Sequence, residues 1–339
     1  MRRSLRTPVR QRGDTDSMAL RKALVTAASG IGDVLRITPL IRVCACLGFE
    51  VDVLLAPDYP ETSTLLQGAP EIRHLYCRPS HWSGQAGTSG DALPAESYDV
   101  ATFTYWSSTL APQVRASRKL FFDRRQWLSD GDSTCVAAIA RELGWTAVMP
   151  SPFAMKSERT FGLKPETVAI HPGCKPDWPW KKWHGFGELA RELPDVVVLG
   201  TPVDFDNSKT YFPKPYVWPA HVHNFCGTLH LRDVAAVVAE CRALVANDSG
   251  IMHLGVALGV PTFGIFGITS PVRELMPADN IFPITKGLPC EPACHRGRWG
   301  RRDCEFHLQC LKTLTAAEVL RQIGARVNLG SIAARAVGP

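Results

Sequence analysis

Runs of four or five apolar residues, bounded by glycine or polar positions, alternate along this chain with stretches in helical spacing. Residues 23–27, 51–55, 98–103, 167–171, 196–199, 243–246 and 260–266 have the mainly apolar character of strands covered on both faces. Between them an apolar helix runs on to about Leu47, and 133–143, 186–193 and 230–240 return to helical spacing. Pro39 would kink the first of these helices from an interior position and costs little in a first turn. Strand, helix, strand in succession predicts an α/β protein with parallel sheets. Around 150–165 the periodicity lapses and prolines and polar residues accumulate, as in a linker. The expected organisation is therefore a leader (1–22), two Rossmann-like parallel-sheet domains facing across a cleft (23–155 and 156–325), and a tail (326–339). Residues 78–98 and 204–224 read as long loops, and Thr315-Ala316-Ala317-Glu318 as a capping box before the last helix.

The segment Asn247-Asp248-Ser249-Gly250-Ile251-Met252-His253 carries the most chemical information. It closes a strand and opens a helix, and the unpaired N–H groups of a helix N-terminus attract anions. Ser249 and the amides of Gly250 and Ile251 suit a diphosphate. His253 is either a further donor or a satisfied core histidine. Asp248 repels phosphate, so it orders the loop or accepts sugar hydroxyls. Thr228 precedes a helix as a cap or another phosphate donor. Lys181, in Lys181-Lys182-Trp183 after the turn His171-Pro172-Gly173, can neutralise a leaving phosphate; a surface lysine pair beside a packing tryptophan is the other reading.

A second glycine loop, Gly30-Ile31-Gly32-Asp33, follows the first strand. Its glycines permit left-handed dihedrals and close approach of a ligand. Position 35 is Leu and no Gly-Lys-Ser/Thr follows, which speaks against both a dinucleotide fingerprint and a Walker loop. Asp33 is either an N-terminal cap or a general base facing the cleft. Amides that stabilise its carboxylate also weaken it as a base. No catalytic metal is required, since Lys181 and helix amides can carry the phosphate charge.

Hydrophobic residues at 45% and charged residues at 21% are ordinary for a globular protein. Five of the six net positive charges fall in residues 1–22, where seven basic residues face Asp14 and Asp16. A solvated arm is the plainer reading; contact with an anionic membrane face or nucleic acid is the sharper one. The nearly neutral body lacks the basic and aromatic pattern that tracks a nucleic-acid backbone, so no nucleic acid is expected. With no membrane-length apolar run and no secretory signal pattern, the expected location is the cytoplasm. Of eleven cysteines, seven are scattered and read as small buried hydrophobes. The other four, Cys290, Cys294, Cys304 and Cys310, lie in one short segment that could clip zinc or iron, form disulfides or pack as thiols.

Gly30-Ile-Gly-Asp33-Val-Leu-Arg-Ile-Thr-Pro39 together with Asn247-Asp-Ser-Gly-Ile-Met-His253-Leu-Gly-Val-Ala-Leu-Gly-Val-Pro261 and Phe266-Gly-Ile-Thr-Ser-Pro271 resembles the family 9 glycosyltransferases, over most of residues 23–325. Serine stands at 249 where threonine is common. The resemblance implies a GT-B architecture with an amino-terminal acceptor domain and a carboxyl-terminal nucleotide-sugar domain. It implies Asp33 as base, Lys181 on the phosphate, and Asp248, Ser249, Gly250 and His253 at the donor. The implied reaction is inverting, metal-independent transfer of heptose from ADP-heptose to a lipopolysaccharide-core hydroxyl, at the cytoplasmic face of the inner membrane if the protein binds there peripherally. Transfer to a protein, as in the iron-bearing branch that glycosylates autotransporters, is the alternative, and a noncatalytic nucleotide-sugar-binding module is another. Deleting residues 1–22 is expected to leave transfer by the body within about twofold of the full chain, as for a solvated extension. Loss of activity together with a salt-sensitive nucleic-acid affinity would make the leader the functional element.

Overall fold

The computed structural model describes residues 20–78, 93–176, 178–207, 215–291, 304 and 306–329. The first sheet holds β1 (Lys22–Ser29), β2 (Glu50–Pro57), β3 (His74–Cys77), β4 (Ser97–Phe103) and β5 (Arg115–Phe121). Their order is β3-β2-β1-β4-β5, all parallel. The second sheet holds β6 (Val168–His171), β7 (Val196–Val198), β8 (Val222–Asn224), β9 (Ala243–Asn247), β10 (Thr262–Ile265) and β11 (Ile281–Ile284), in the order β11-β10-β9-β6-β7-β8 and again parallel. The molecule is thus the expected pair of parallel-sheet α/β units.

Burial on both faces explains the mainly apolar runs. In the first sheet Val25, Val53 and Val100 pack on one side with Leu40 and Ile41, while Leu24, Leu54 and Phe103 pack on the other with Tyr98 and Leu110. In the second, Val168, Ile170 and Val245 join Phe186 and Val319, and Ala169, Leu244 and Ala246 face Val237 and Met252.

The first helix is not continuous. It divides into α1 (Ile31–Arg36) and α2 (Thr38–Cys46), with Ile37 between them and Pro39 in the first turn of α2, where its missing N–H costs nothing. The Thr38 hydroxyl donates to the Leu35 carbonyl at 2.7 Å and accepts from the Phe153 amide at 3.0 Å, which anchors the break. The helix predicted over 133–143 begins earlier: α3 spans Arg124–Glu142, capped by Asp123 and interrupted at Gly131. Strands β3, β5, β8 and β11 had no sequence signal, because they are short or, as in Arg115–Phe121, mostly exposed and charged. Between α3 and β6 the backbone moves from one unit to the other. The Met155 amide bonds to Leu65, and that of Ser157 to Arg232. Among the scattered cysteines Cys46 is exposed and Cys77 and Cys174 are half-buried, so only Cys44, Cys135, Cys226 and Cys241 are core thiols.

The remaining helices of the second unit are α4 (Phe186–Glu192), α5 (Pro202–Phe205), α6 (Leu231–Glu240), α7 (Gly250–Ala257) and α8 (Pro271–Glu274), with a last helix over Ala316–Gly324. Thr315 and Glu318 close the capping box, at 2.8 Å from the Thr315 amide to Glu318 and 3.2 Å in return. No described helix is long and apolar enough to cross a membrane.

Two seams join the units. Helix α1 follows the carboxyl end of β1, α7 follows that of β9, and their first turns meet: a Cβ on Gly32 would lie 2.6 Å from His253, and one on Gly250 2.7 Å from Ile31. In the second seam Gly131 (φ 79°, ψ −169°) lies under α8, and a Cβ there would sit 2.0 Å from the Arg273 carbonyl oxygen. Gly131→Ala is expected to destabilise by more than about 3 kcal/mol, since glycine-only backbone strain adds to a backbone clash. Gly259→Ala (φ 75°, with open space around its Cβ) should cost only about 1 kcal/mol. Equal shifts of the two variants in thermal unfolding would show that the seam yields.

Candidate active site

On the second unit the loop after β9 is fixed before any ligand arrives. Asn247, fully buried, accepts from the Trp183 amide at 3.0 Å and donates to the Pro172 carbonyl at 2.7 Å, which ties the loop after β6 to the end of β9. Ser249 caps α7: its hydroxyl accepts from the Met252 amide at 3.4 Å and lies 3.1 Å from His171 Nδ1. Asp248 is buried and meets Lys181 Nζ at 2.7 Å, while that ammonium also sits 5.3 Å from the Trp178 ring centre.

These groups set one another's charge. Burial acts to lower the Lys181 pKa, but Asp248 and then Glu274 outweigh it and hold the ammonium above its usual range. Burial acts to raise Asp248, and Lys181 reverses that, so the carboxylate lies below its usual range. The next residue, Lys182, is only 4% exposed and pairs with Asp204 at 3.0 Å. Neither lysine is the solvated surface residue that composition alone would suggest. Burial pushes His171 down to about 4 and His253 down to about 3, so both rings are neutral near pH 7.

On the first unit Asp33 is the third residue of α1, and its carboxylate closes a capping box on the amide of the cap residue Gly30. Its Oδ2 accepts from the Gly30 amide at 2.8 Å, and its Oδ1 meets Arg36 Nη2 at 2.6 Å. Arg36 also reaches Asp132 on α3 at 2.9 Å and Glu274 on α8 at 2.8 Å. One guanidinium thus gathers three carboxylates, two from the first unit and one from the second. Burial raises Asp132, and Asp33 and Glu274 add to that against the pull of Arg36, taking it to about 6.

The two glycine segments therefore come together, with Asp33 on one side of the seam and Asp248, Ser249 and Lys181 on the other. Gly30 has φ −75° and Gly32 is helical. These glycines serve close approach, not left-handed turning; the positive φ in this loop belongs to Ser29, at 81°. Ile251 is a core residue packed with Met252 and Leu254, and His253 is buried against Gly32. Thr228 does not cap α6, whose cap position is His230; its exposed hydroxyl donates to the Phe225 carbonyl at 3.0 Å.

In the cysteine segment, Cys310 is buried and its thiol is pushed up to about 12 by that burial. Cys304 Sγ accepts from the Leu308 amide at 3.3 Å, Cys290 is half-buried, and Cys294 lies outside the described residues. Among the described residues, the one group that brings three ligand atoms within 4.8 Å of one another is Asp52, His74 and Glu96, far along the chain from these thiols. Arg36, Asp132, Glu274, Asn247, His171 and the Lys182–Asp204 pair are the site members that sequence reasoning did not single out. Arg36, three residues after Asp33, had a detectable signal in its spacing; Asp132 and Glu274 had none.

Residues 138–298 match the model of glycosyltransferase family 9 (heptosyltransferase). Lipopolysaccharide heptosyltransferase 2 of Salmonella typhimurium is 29% identical over 192 residues, which cover 53% of this chain and 50% of that protein. The chain spans about half the length of the curated relatives it matches. In fold it is similar to E. coli ADP-heptose LPS heptosyltransferase II (TM-score 0.62, 19% identity, covering 90% of this chain and 98% of the other). It is also similar to the iron-containing dodecameric glycosyltransferase TibC of enterotoxigenic E. coli (TM-score 0.57, 14% identity, covering 91% and 77%). Two parallel-sheet units in the GT-B arrangement make this chain similar in fold to the solved heptosyltransferases, and residues 138–298 carry the sequence pattern of glycosyltransferase family 9.

Proposed function

We propose that the protein is an inverting glycosyltransferase that moves heptose from ADP-heptose to a hydroxyl of the lipopolysaccharide core, with the first unit (23–155) binding the acceptor and the second (156–325) the nucleotide sugar. The observation that carries this reading is the meeting of α1 and α7, which brings a carboxylate from one unit to a capped helix start of the other, the same unit in which half-buried Lys181 pairs with Asp248. The matched family and the ADP-heptose enzyme among the structural neighbours support the donor. The lipopolysaccharide enzyme among the curated relatives supports the acceptor.

In this mechanism the acceptor oxygen attacks the anomeric carbon as its proton passes to Asp33. The bond from that carbon to the diphosphate oxygen breaks on the opposite face, so configuration inverts and ADP departs. The amides of Gly250 and Ile251 and the Ser249 hydroxyl face the diphosphate, and Lys181, kept charged by Asp248, balances the charge that develops on it. Neutral His253 packs the turn that carries these donors. Asp248 keeps Lys181 aimed until a phosphate shares it, and Thr228 borders the same edge from outside. No step needs a catalytic metal.

A second reading, transfer to a protein acceptor, draws on the clustering of Cys290, Cys294, Cys304 and Cys310 and on the fold shared with TibC, described as iron-containing. Cys290 and Cys304 lie close enough to Cys310 to help raise its thiol, and Cys294 lies outside the described residues; no step is routed through iron or zinc. On either reading the protein works at the cytoplasmic face of the inner membrane without nucleic acid.

A donor panel scored by mass of the product tests both readings: ADP-heptose with lipopolysaccharide core should give one added heptose and one ADP. Absence of turnover with every nucleotide sugar would sink them, and addition to a polypeptide alone would select the second. Asp33→Asn should lower kcat by at least about 100-fold and leave the donor Kd within about threefold, as expected for loss of a general base. Turnover equal to wild type would remove that role. Lys181→Gln should weaken ADP binding by about tenfold in calorimetry, the value of one charged phosphate contact.

A further inference from the structure

Asp33 is held from two sides, by the Gly30 amide on Oδ2 and by Arg36 on Oδ1. The first hold is local to α1. The second is not, because Arg36 is itself held by Asp132 on α3 and by Glu274 on α8, and the Glu274 backbone carbonyl accepts from the same Nη1 at 3.3 Å. Of these partners only Glu274 belongs to the second unit. We propose that Arg36 is a positioning residue that orients the Asp33 carboxylate, and that the Glu274–Arg36 contact makes this orientation depend on the two units being closed. The inference rests on the transferase reading above and adds a residue and a conformational condition to it.

Three observations carry it. First, the junction is costly for stability alone. Arg36 is buried with one N–H, Nε, without a partner, and a buried cation among three acids is rarely better than a well-packed apolar cluster. Second, its charges do not balance. When Asp33, Asp132 and Glu274 are all ionised, a single guanidinium is divided among them, so a change at one alters the hold on the others. Third, it joins α1, α3 and α8, and its charge is felt on α7. Trp127 Nε1 donates to the other oxygen of Asp132 at 2.9 Å, and Arg273 lies 3.7 Å from Glu274 and over the Trp127 ring. From the donor side, Arg36 lowers His253, and Glu274 raises Lys181, which Asp248 holds. Opening the cleft would take Glu274 away and leave Arg36 to Asp33 and Asp132; closing it divides the guanidinium again and loosens its claim on the proton-accepting oxygen.

The pH response has a definite sign. Asp132 takes up a proton as the pH falls through about 6. Arg36 then binds Asp33 Oδ1 more exclusively, that oxygen is less free to take the acceptor proton, and kcat falls. The test uses the full chain with ADP-heptose and core acceptor in wild type, Arg36→Lys, Glu274→Gln and Asp132→Asn, together with the NMR shift of the Gly30 amide, which reports Asp33 without requiring turnover.

Arg36→Lys, which keeps the charge but cannot bridge three acids, should lower kcat by about tenfold or more with donor KM within about twofold. Glu274→Gln removes only the cross-unit partner, so it tests the idea even if the Arg36 variant fails to fold; kcat should fall about three- to tenfold and the Gly30 amide should shift. Asp132→Asn should abolish the step near pH 6. An unmoved Gly30 amide in Glu274→Gln, or kcat and KM changing only in proportion to lost stability, would overturn the proposal. If wild type transfers nothing while the Gly30 amide still responds to Glu274→Gln, the transferase reading fails and the positioning of Asp33 stands.

Discussion

Everything at the cleft depends on two helix starts touching without a side chain between them. Gly32 lies against His253, and Gly250 against Ile31, at separations that leave no room for a Cβ on either glycine. A methyl group at either place would have to push its neighbour back by about 1 Å to reach an ordinary carbon contact. That displacement would draw Asp33 away from the turn of Ser249 and Gly250 and pull Glu274 from Arg36. The packing contact therefore governs the electrostatics, and the electrostatics govern the chemistry.

Held that closely, the two turns can share charge. The carboxylate of Asp33 and the ammonium of Lys181 do not meet directly, yet each is joined to Glu274, through Arg36 on one side and through the local field on the other. His253 lies where both fields converge and stays uncharged because burial and the nearby Arg36 penalise its cation more than Asp248 favours it. A protonated ring there would put a third cation into the seam. Neutral histidine supplies shape beside Gly32 without disturbing the balance that keeps Lys181 charged.

Much of this was legible in the chain. Mainly apolar runs identified the central strands, because parallel strands covered on both faces have no alternating polar side to show. Edge strands such as Arg115–Phe121 escaped notice, since their exposed residues carry no pattern distinct from a loop. The glycine segments were readable because phosphate docking and close backbone approach both demand small residues at helix starts. The partners of Arg36 were not: Asp132 and Glu274 lie 96 and 238 positions away in the sequence, and nothing in their own neighbourhoods points to a shared guanidinium. Lys181 was found by its place after a strand, but the burial that makes it useful is a tertiary property.

A second ionic cluster in the same sheet shows what makes the Arg36 junction distinctive. At the amino ends of the strands, Arg73 donates Nε and Nη2 to the two oxygens of Asp52 at 2.8 and 2.7 Å, Nη1 to Glu50 at 3.0 Å and Nη2 again to Glu96 at 3.0 Å. Tyr98 completes Asp52 at 2.8 Å, and Lys22 pairs with Glu96. Asp52, His74 and Glu96 have the spacing of metal ligands, but Arg73 already occupies the position a cation would take. Each of the three guanidinium nitrogens has an acid there, and the cluster joins strands of one sheet only. The Arg36 junction differs on both counts, with one donor left over and one partner supplied by the other unit. A saturated network within one rigid sheet can only stabilise it. An unsaturated network that spans a seam can exist in two arrangements, and at this seam the group that changes hands is the cation beside the proposed base.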